Sequence, residues 1–161
     1  MGDVLTLQEQ GDRAKAFLEG LVRELNIPAA VSIRPIDEST IEVALDGDEL
    51  GLLIGPGGAT LAAVQELTRT VVQRRPSVPG ERVIVEVAGY RAKRADALGR
   101  FTKQIVEEVL STGQERALEP MSSADRKVVH DTVNDISGVR TRSEGEDPRR
   151  YIVISPAGSD G

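Results

Sequence analysis

Three glycines within four residues, Gly55, Gly57 and Gly58, form the stretch of this chain best suited to binding phosphate. They follow the apolar residues 52–54 and precede a segment of helical periodicity that begins at Thr60. Glycine lets another backbone approach closely, and a helix that begins after such a turn aims its first N–H groups and the positive end of its dipole outward. The spacing therefore predicts a turn that binds a phosphate-containing chain.

Two familiar phosphate-binding loops do not fit this turn. A mononucleotide loop needs Gly-x-x-x-x-Gly-Lys-Ser/Thr, and no lysine follows Gly58. A dinucleotide fingerprint needs Gly-x-Gly-x-x-Gly between a strand and a helix, and the glycines here are spaced differently. A third interpretation is a Gly-x-x-Gly clamp between two helices, which grips about four backbone nucleotides. The structural alternative is a tight connection between two helices without a ligand.

A second candidate site combines an arginine with the single histidine of the chain. Arg126 and His130 are four residues apart, so they share one face of a predicted helix. Arg142, Arg149 and Arg150 fall in two predicted strands and the acidic turn between them. Together these side chains predict a cationic face that contacts phosphate. The alternative is that Arg149 and Arg150 only pair with the acidic residues of their own turn.

Composition excludes several classes of protein. The 161 residues include no cysteine and one histidine, which excludes disulfides, thiolate metal sites and zinc sites built from several imidazoles. No apolar run approaches the roughly 18 residues that a membrane span needs. We therefore expect a soluble cytoplasmic protein that has no metal or other cofactor and is not inserted in a membrane.

The net charge of −6 disfavours nucleic acid, but the charge is unevenly distributed. Residues 1–50 carry 4 Lys/Arg and 11 Asp/Glu, residues 51–116 carry 10 and 7, and residues 117–161 carry 6 and 8. The surroundings of the glycine turn are thus mildly basic, although Pro56 and Gly57 bring no charge to the turn itself. The cations expected to supply that charge are Arg69, Arg74 and Arg75.

Hydrophobic periodicity predicts two groups of elements joined by a long helix. The predicted helices cover residues 8–25, 49–54, 60–75, 88–110 and 123–136, and the predicted strands cover 30–34, 40–45, 81–87, 139–143 and 150–155. A short extended piece is expected at 117–121 and a disordered tail at 157–161. The apolar faces of two of these helices include Leu67, Val71 and Phe101, which we expect to be buried.

The order helix, strand, strand, helix, Gly-x-x-Gly, helix, strand resembles the bacterial (type II) KH domain over residues 10–88. Residues 51–61 are similar to the clamp of that family. The resemblance implies a three-stranded sheet and a groove for single-stranded RNA, with Ile54, Leu61 and the edge of the second strand on its apolar side. The clamp residues that it implies are Ile54, Gly55, Pro56, Gly57, Gly58, Thr60, Leu61 and Arg69.

Residues 89–156 resemble the small α/β domain named for its Arg-x-x-x-His motif, here Arg126 and His130. Domains of this kind bind single-stranded nucleic acid, and the implied contacts are Arg126, His130, Arg142, Arg149 and Arg150. A KH domain followed by this domain is the architecture of the bacterial Jag family of RNA-binding proteins, including its KhpB/EloR group. The resemblance implies an α+β fold, single-stranded RNA or DNA as the ligand, a role linked to cell elongation and division, and a small single-KH partner.

Two other functions compete with RNA binding. A protein-interaction module is the main alternative, because the acidic first third of the chain suits a basic partner. A nuclease is disfavoured, because the acidic turns at 46–49 and 144–147 do not match the calcium-loop pattern. We therefore expect a protein without catalytic residues.

Overall fold

The computed structural model describes residues 4–72 and 80–158, which divide into two units after Tyr90. Both units combine helices with a three-stranded sheet, so the predicted α+β class is confirmed. Arg74, Arg75 and the end of the helix predicted at 60–75 lie outside the described residues, as do the last three residues of the predicted tail. No helix within the described ranges is both long enough and apolar enough to cross a membrane.

The first unit has the element order predicted from the sequence. Its elements are α1 (Leu7–Glu24), β1 (Ala30–Asp37), β2 (Thr40–Asp46), α2 (Gly51–Ile54), a 3-10 turn (Pro56–Gly58), α3 (Ala59–Val72) and β3 (Arg82–Val87). A capping box begins α1, because the Thr6 hydroxyl accepts from the Glu9 N–H at 3.2 Å while the Glu9 carboxylate accepts from the Thr6 N–H at 2.7 Å. Asn26, with φ of 54°, follows the end of α1.

The sheet of the first unit has the order β1-β2-β3. β1 pairs with β2 in antiparallel fashion, and β3 pairs with β2 in parallel. The expectation that an edge of β2 lines a base groove is wrong, because hydrogen bonds to β1 and β3 occupy both of its edges. The two long helices, α1 and α3, pack on this sheet and enclose an apolar core that includes Leu18, Val43, Leu45, Val64 and Val85.

Only one narrow strip of α3 is buried. Residues three and four positions apart turn towards the sheet, and they are Leu61, Val64, Thr68 and Val72. Leu67 and Val71 lie outside this strip and are 54% and 42% exposed. The prediction that both are buried is therefore wrong, because the strip that contacts the sheet is narrower than the apolar pattern of the sequence.

The second unit contains most of a long helix and a small antiparallel sheet. Its elements are α4 (Tyr90–Thr112), β4 (Arg116–Ala117), α5 (Ser123–Asn134), β5 (Val139–Glu144) and β6 (Tyr151–Pro156), with the sheet order β4-β6-β5. The core includes Ile105, Val109, Val129, Val133 and Ile154.

The part of α4 around residue 101 faces differently from its prediction. Phe101 is 45% exposed, so the expectation that it is buried is wrong. Thr102 is fully buried instead, together with Leu98, Ile105 and Val106. The helix is rotated so that the residue after the phenylalanine points inwards, which leaves the aromatic ring at the surface.

Candidate nucleic-acid interface

All three glycines of the turn have left-handed backbone angles, with φ of 72° at Gly55, 60° at Gly57 and 79° at Gly58. A Cβ at Gly55 would lie 2.2 Å from the Thr60 Oγ1, and one at Gly58 would lie 2.7 Å from the Tyr90 ring. At Gly57 nothing lies within 4 Å of that position. Gly55 and Gly58 are therefore required by close packing, whereas Gly57 forms an open tip that another molecule can approach.

Most backbone N–H groups of the turn already donate within it. The Gly55 N–H donates to the Gly51 carbonyl at 3.0 Å, and the Gly58 N–H donates to the Gly55 carbonyl at 3.2 Å. The Ala59 N–H donates to the Pro56 carbonyl. This leaves the Gly57 N–H, at the open tip, as the candidate donor to a phosphate. The positive end of the 14-residue helix α3 lies directly behind it.

The predicted clamp residues differ in accessibility. Pro56 is exposed, and Ile54 and Thr60 are partly buried. Leu61 is 2% exposed and belongs to the core of the first unit. Its predicted place in the base groove is therefore corrected: Leu61 packs beneath the turn, because the first turn of α3 points it at the sheet.

Arg69 lies on the exposed side of α3, where it forms an ion pair with Glu66 one turn earlier. The hydrogen bond from Arg69 lowers the pKa of the Glu66 carboxyl, so this glutamate is ionised at neutral pH. Arg69 therefore brings a cation to the clamp that is already balanced by a carboxylate.

In the second unit, Arg126 and His130 both lie on α5, and Ser122 caps that helix by accepting from the Asp125 N–H at 3.2 Å. The Arg126 side chain is 9% exposed and donates to the Met121 carbonyl at 2.7 Å and to Asp147 at 2.9 Å. Arg126 thus fastens α5 to the turn between β5 and β6. It is not a freely accessible cation in this conformation.

His130 bridges α5 and β5 through two hydroxyl groups. Its Nδ1 lies 2.6 Å from the Thr141 Oγ1, and its Nε2 lies 3.0 Å from the Ser143 Oγ. A hydroxyl can donate or accept, so this geometry suits either tautomer of the ring. Thr141 and Ser143 were not singled out from the sequence, although their spacing of two on a strand places them on one face.

Arg142 is held by two carboxylates. It contacts Glu115 through two nitrogens at 3.0 and 3.1 Å, and Glu144 at 2.7 Å. These hydrogen bonds lower the pKa of both carboxyls and raise that of Arg142. The Tyr151 hydroxyl also donates to Glu144 at 2.9 Å, which further lowers the pKa of the glutamate and raises that of the tyrosine.

Arg149 and Arg150 do not form the ion pairs that were the alternative to phosphate contact. Arg150 donates to the Gly145 carbonyl at 2.8 Å, and the side chain of Arg149 is exposed and makes no hydrogen bond or ion pair with the described residues. The carboxylates of this turn bind other arginines, since Asp147 holds Arg126 and Glu144 holds Arg142. The unit thus binds most of its predicted cations internally but leaves Arg149 accessible. The described ranges contain no group of three His, Cys, Asp or Glu placed to hold a metal ion.

Both units match known domain families. A family described as "KhpA/KhpB, KH domain" matches residues 15–87. The family of the Arg-x-x-x-His domain matches residues 96–156. The two matches follow one another along the chain in the order that the sequence predicted.

Curated relatives also match most of the chain. "RNA-binding protein KhpB" of Clostridium symbiosum is 34% identical over 89% of this chain and 65% of its own length. The protein of the same name from Bacillus subtilis (strain 168) is 32% identical over 89% of this chain and 69% of its own. That of Streptococcus pneumoniae serotype 2 is 27% identical over 92% and 44%. The chain thus spans between about two fifths and two thirds of the length of these relatives.

Proposed function

Because the chain belongs to the Jag/KhpB family, whose members join a KH domain to an Arg-x-x-x-His domain, we propose that it is a non-enzymatic protein that binds single-stranded RNA. One observation carries the proposal: Gly57 stands at the open tip of a Gly-x-x-Gly turn between two helices. The relatives support it, because each is named an RNA-binding protein.

In the KH domain, the shape of the turn and its backbone amide do the binding. A phosphate accepts from the Gly57 N–H, and the dipole of α3 favours its negative charge. Gly55 and Gly58 keep the turn tight, while Ile54, Pro56 and Thr60 border it. The neighbouring Arg69 contributes only if RNA displaces its partner Glu66.

In the Arg-x-x-x-His domain, phosphate contacts come from the accessible Arg149, assisted by His130, Arg142 and Arg150. Arg126 has a different role in this proposal: it holds the turn that carries Arg149, through its hydrogen bond to Asp147. Two weak sites on one chain gain affinity through effective concentration. Single-stranded DNA offers the same phosphates, so the 2′-hydroxyl contacts decide between the two nucleic acids.

The family membership extends the proposal to a cytoplasmic, post-transcriptional regulator linked to cell elongation and division. A small single-KH protein is the proposed partner, and the matched family description, which pairs KhpA with KhpB, supports it. The exposed Leu67 and Val71 on α3 offer a protein partner a surface, because apolar side chains of this size favour contact with another protein. An adaptor role with weak RNA binding is therefore the second candidate function.

Fluorescence anisotropy of a labelled single-stranded RNA, titrated at several salt concentrations, tests the proposal. Single-strand binding through phosphates gives a log–log salt slope of about −0.7 for each contact. A perfectly paired duplex of the same sequence is the control and should bind more weakly, because its bases are not accessible. Absence of any binding to single-stranded RNA at low salt would overturn the proposal and favour the adaptor role.

A further inference from the structure

The first half of α4 is strongly basic in an acidic chain. Residues 91–104 carry five Lys/Arg and one Asp, whereas the whole protein has a net charge of −6. Neither the glycine turn nor the Arg-x-x-x-His motif includes this segment. A solvated helix face that serves no ligand has no need for so large an excess of one sign.

Three of these cations are accessible and unpaired. Lys93, Arg100 and Lys103 are exposed, and none of them makes a hydrogen bond or ion pair within residues 4–72 and 80–158. The motif arginines differ, since Arg126 and Arg142 are both bound to carboxylates. Cations without a carboxylate partner contact a polyanion without first breaking an ion pair.

Another residue of the same helix fixes its orientation. Arg94 is partly buried and donates to Asp125 of α5 at 3.1 Å. Because this bond joins α4 to the helix that carries the Arg-x-x-x-His motif, the basic face of α4 is held in place within the second unit.

An exposed aromatic ring lies on the same side of the helix. Phe101 directly follows Arg100 and is 45% exposed, although it is one of only four Phe and Tyr residues in the chain. In single-strand-binding proteins, successive bases stack on such rings while neighbouring cations contact the backbone. Lys93 and Arg100 are seven residues apart, which places them on one face two turns apart.

The charge on this helix also opposes its stability. The first turn of α4 contains Arg91 and Lys93 and no acidic residue. Cations near a helix N-terminus are repelled by the positive end of the dipole. A sequence that breaks a local rule in this way, without a structural gain, points to function.

We propose that the exposed face of α4 formed by Lys93, Arg100, Phe101 and Lys103 is a third RNA-binding surface, called here the α4 face. The three cations contact phosphates, and one unpaired base stacks on Phe101. The ligand is single-stranded RNA, because a base inside a duplex is not free to stack on a side chain. The inference rests on the proposed function and supplies the positive charge that the glycine turn lacks.

The test is the salt-dependent RNA titration of the full chain with two variants of the α4 face. The triple variant Lys93→Gln, Arg100→Gln, Lys103→Gln should weaken binding and make the log–log slope less negative by about 2, for three lost contacts. Phe101→Leu should weaken binding at least about fivefold through lost stacking and leave the slope unchanged. Gln and Leu both suit a helix, and unchanged unfolding midpoints confirm that the variants fold.

A matched control removes the same charge elsewhere: Arg13→Gln, Lys15→Gln, Arg23→Gln on α1. The inference predicts a smaller effect for this control, and an equal loss in both triple variants would overturn it as a general charge effect. Unchanged affinity in both α4 variants, while the unmodified protein binds RNA, would overturn the α4 face and leave the proposed function standing. No binding by the unmodified protein would overturn both.

Discussion

At the scale of residues, the notable property of the candidate sites is that carboxylates already hold most of their arginines. Arg69 pairs with Glu66, Arg126 with Asp147, and Arg142 with Glu115 and Glu144. Exposed ion pairs contribute only about 0–1 kcal/mol, so phosphate can displace them. The affinity for RNA is therefore set by competition between phosphates and the carboxylates of the protein itself.

This competition predicts that removing one carboxylate tightens RNA binding. Glu115→Gln frees two nitrogens of Arg142 for phosphate, and we expect roughly twofold to fivefold tighter binding, from the cost of breaking an exposed pair. Glu119→Gln is the control, because it removes the same charge from an exposed residue without a described partner. Equal gains in the two variants would show that only net charge matters.

Arg126 is predicted to position the turn between β5 and β6 and not to contact RNA. Asp147→Asn leaves the enclosed guanidinium without its carboxylate, which should cost about 1–2 kcal/mol of unfolding free energy. It should also weaken RNA binding relative to Glu146→Gln, which removes a charge from the same turn. Tighter binding by Asp147→Asn than by Glu146→Gln, in parallel titrations, would instead make Arg126 a phosphate contact.

At the scale of elements, the helices and strands follow from periodicity, but their faces do not. The apolar pattern of the sequence located α3 and α4 correctly yet placed Leu67, Val71 and Phe101 in the core. Which side of a helix packs depends on the width of the surface it meets, and one sequence does not contain that width. The central position of β2 was missed for a similar reason, because its parallel partner β3 is distant in the chain.

The candidate sites show the same division. The glycine turn and the pair Arg126 and His130 are visible in the sequence, because their spacing is local. Their bonding partners are not: Arg126 contacts Asp147, 21 residues away, and Arg142 contacts Glu115, 27 residues away. Whether an arginine is free or neutralised is therefore a property of the folded chain.

The tightness of the glycine turn predicts unequal costs for the same substitution. Gly57→Ala should cost about 1 kcal/mol of unfolding free energy, because only the positive φ is unfavourable there. Gly55→Ala adds a clash with Thr60 and should cost about 1–3 kcal/mol more. Urea unfolding of both variants checks this, and equal costs would mean that the turn is looser than described.

The bonds of Arg142 predict a pH dependence for the second unit. The pKa values of Glu115 and Glu144 are lowered in the folded state, mainly by hydrogen bonds from Arg142. A lowered folded pKa contributes stability above the unfolded value of about 4.5, and that contribution is lost as pH falls further. Arg142→Gln should therefore destabilise the protein at pH 7, with the difference from the unmodified protein shrinking below about pH 4.5. A difference independent of pH would contradict this.

At the scale of the whole molecule, an acidic chain binds a polyanion by confining its accessible cations to a few places. The acidic α1 and the first strands carry most of the negative charge, while Arg149 and the α4 face present unpaired cations. The KH clamp adds a backbone site that needs no charge of its own. Several weak contacts on one chain then combine, because the binding of one raises the local concentration of RNA at the others.

The most direct test of the clamp compares two substitutions at Gly57 in the full chain. Asp and Asn are almost the same size, and both tolerate the left-handed backbone better than other residues with a Cβ. We predict that Gly57→Asp weakens binding to single-stranded RNA by about tenfold or more, because its carboxylate repels the phosphate at the tip. Gly57→Asn should fold equally well and keep an affinity close to that of the unmodified protein. Unchanged RNA affinity in a folded Gly57→Asp variant would contradict the clamp.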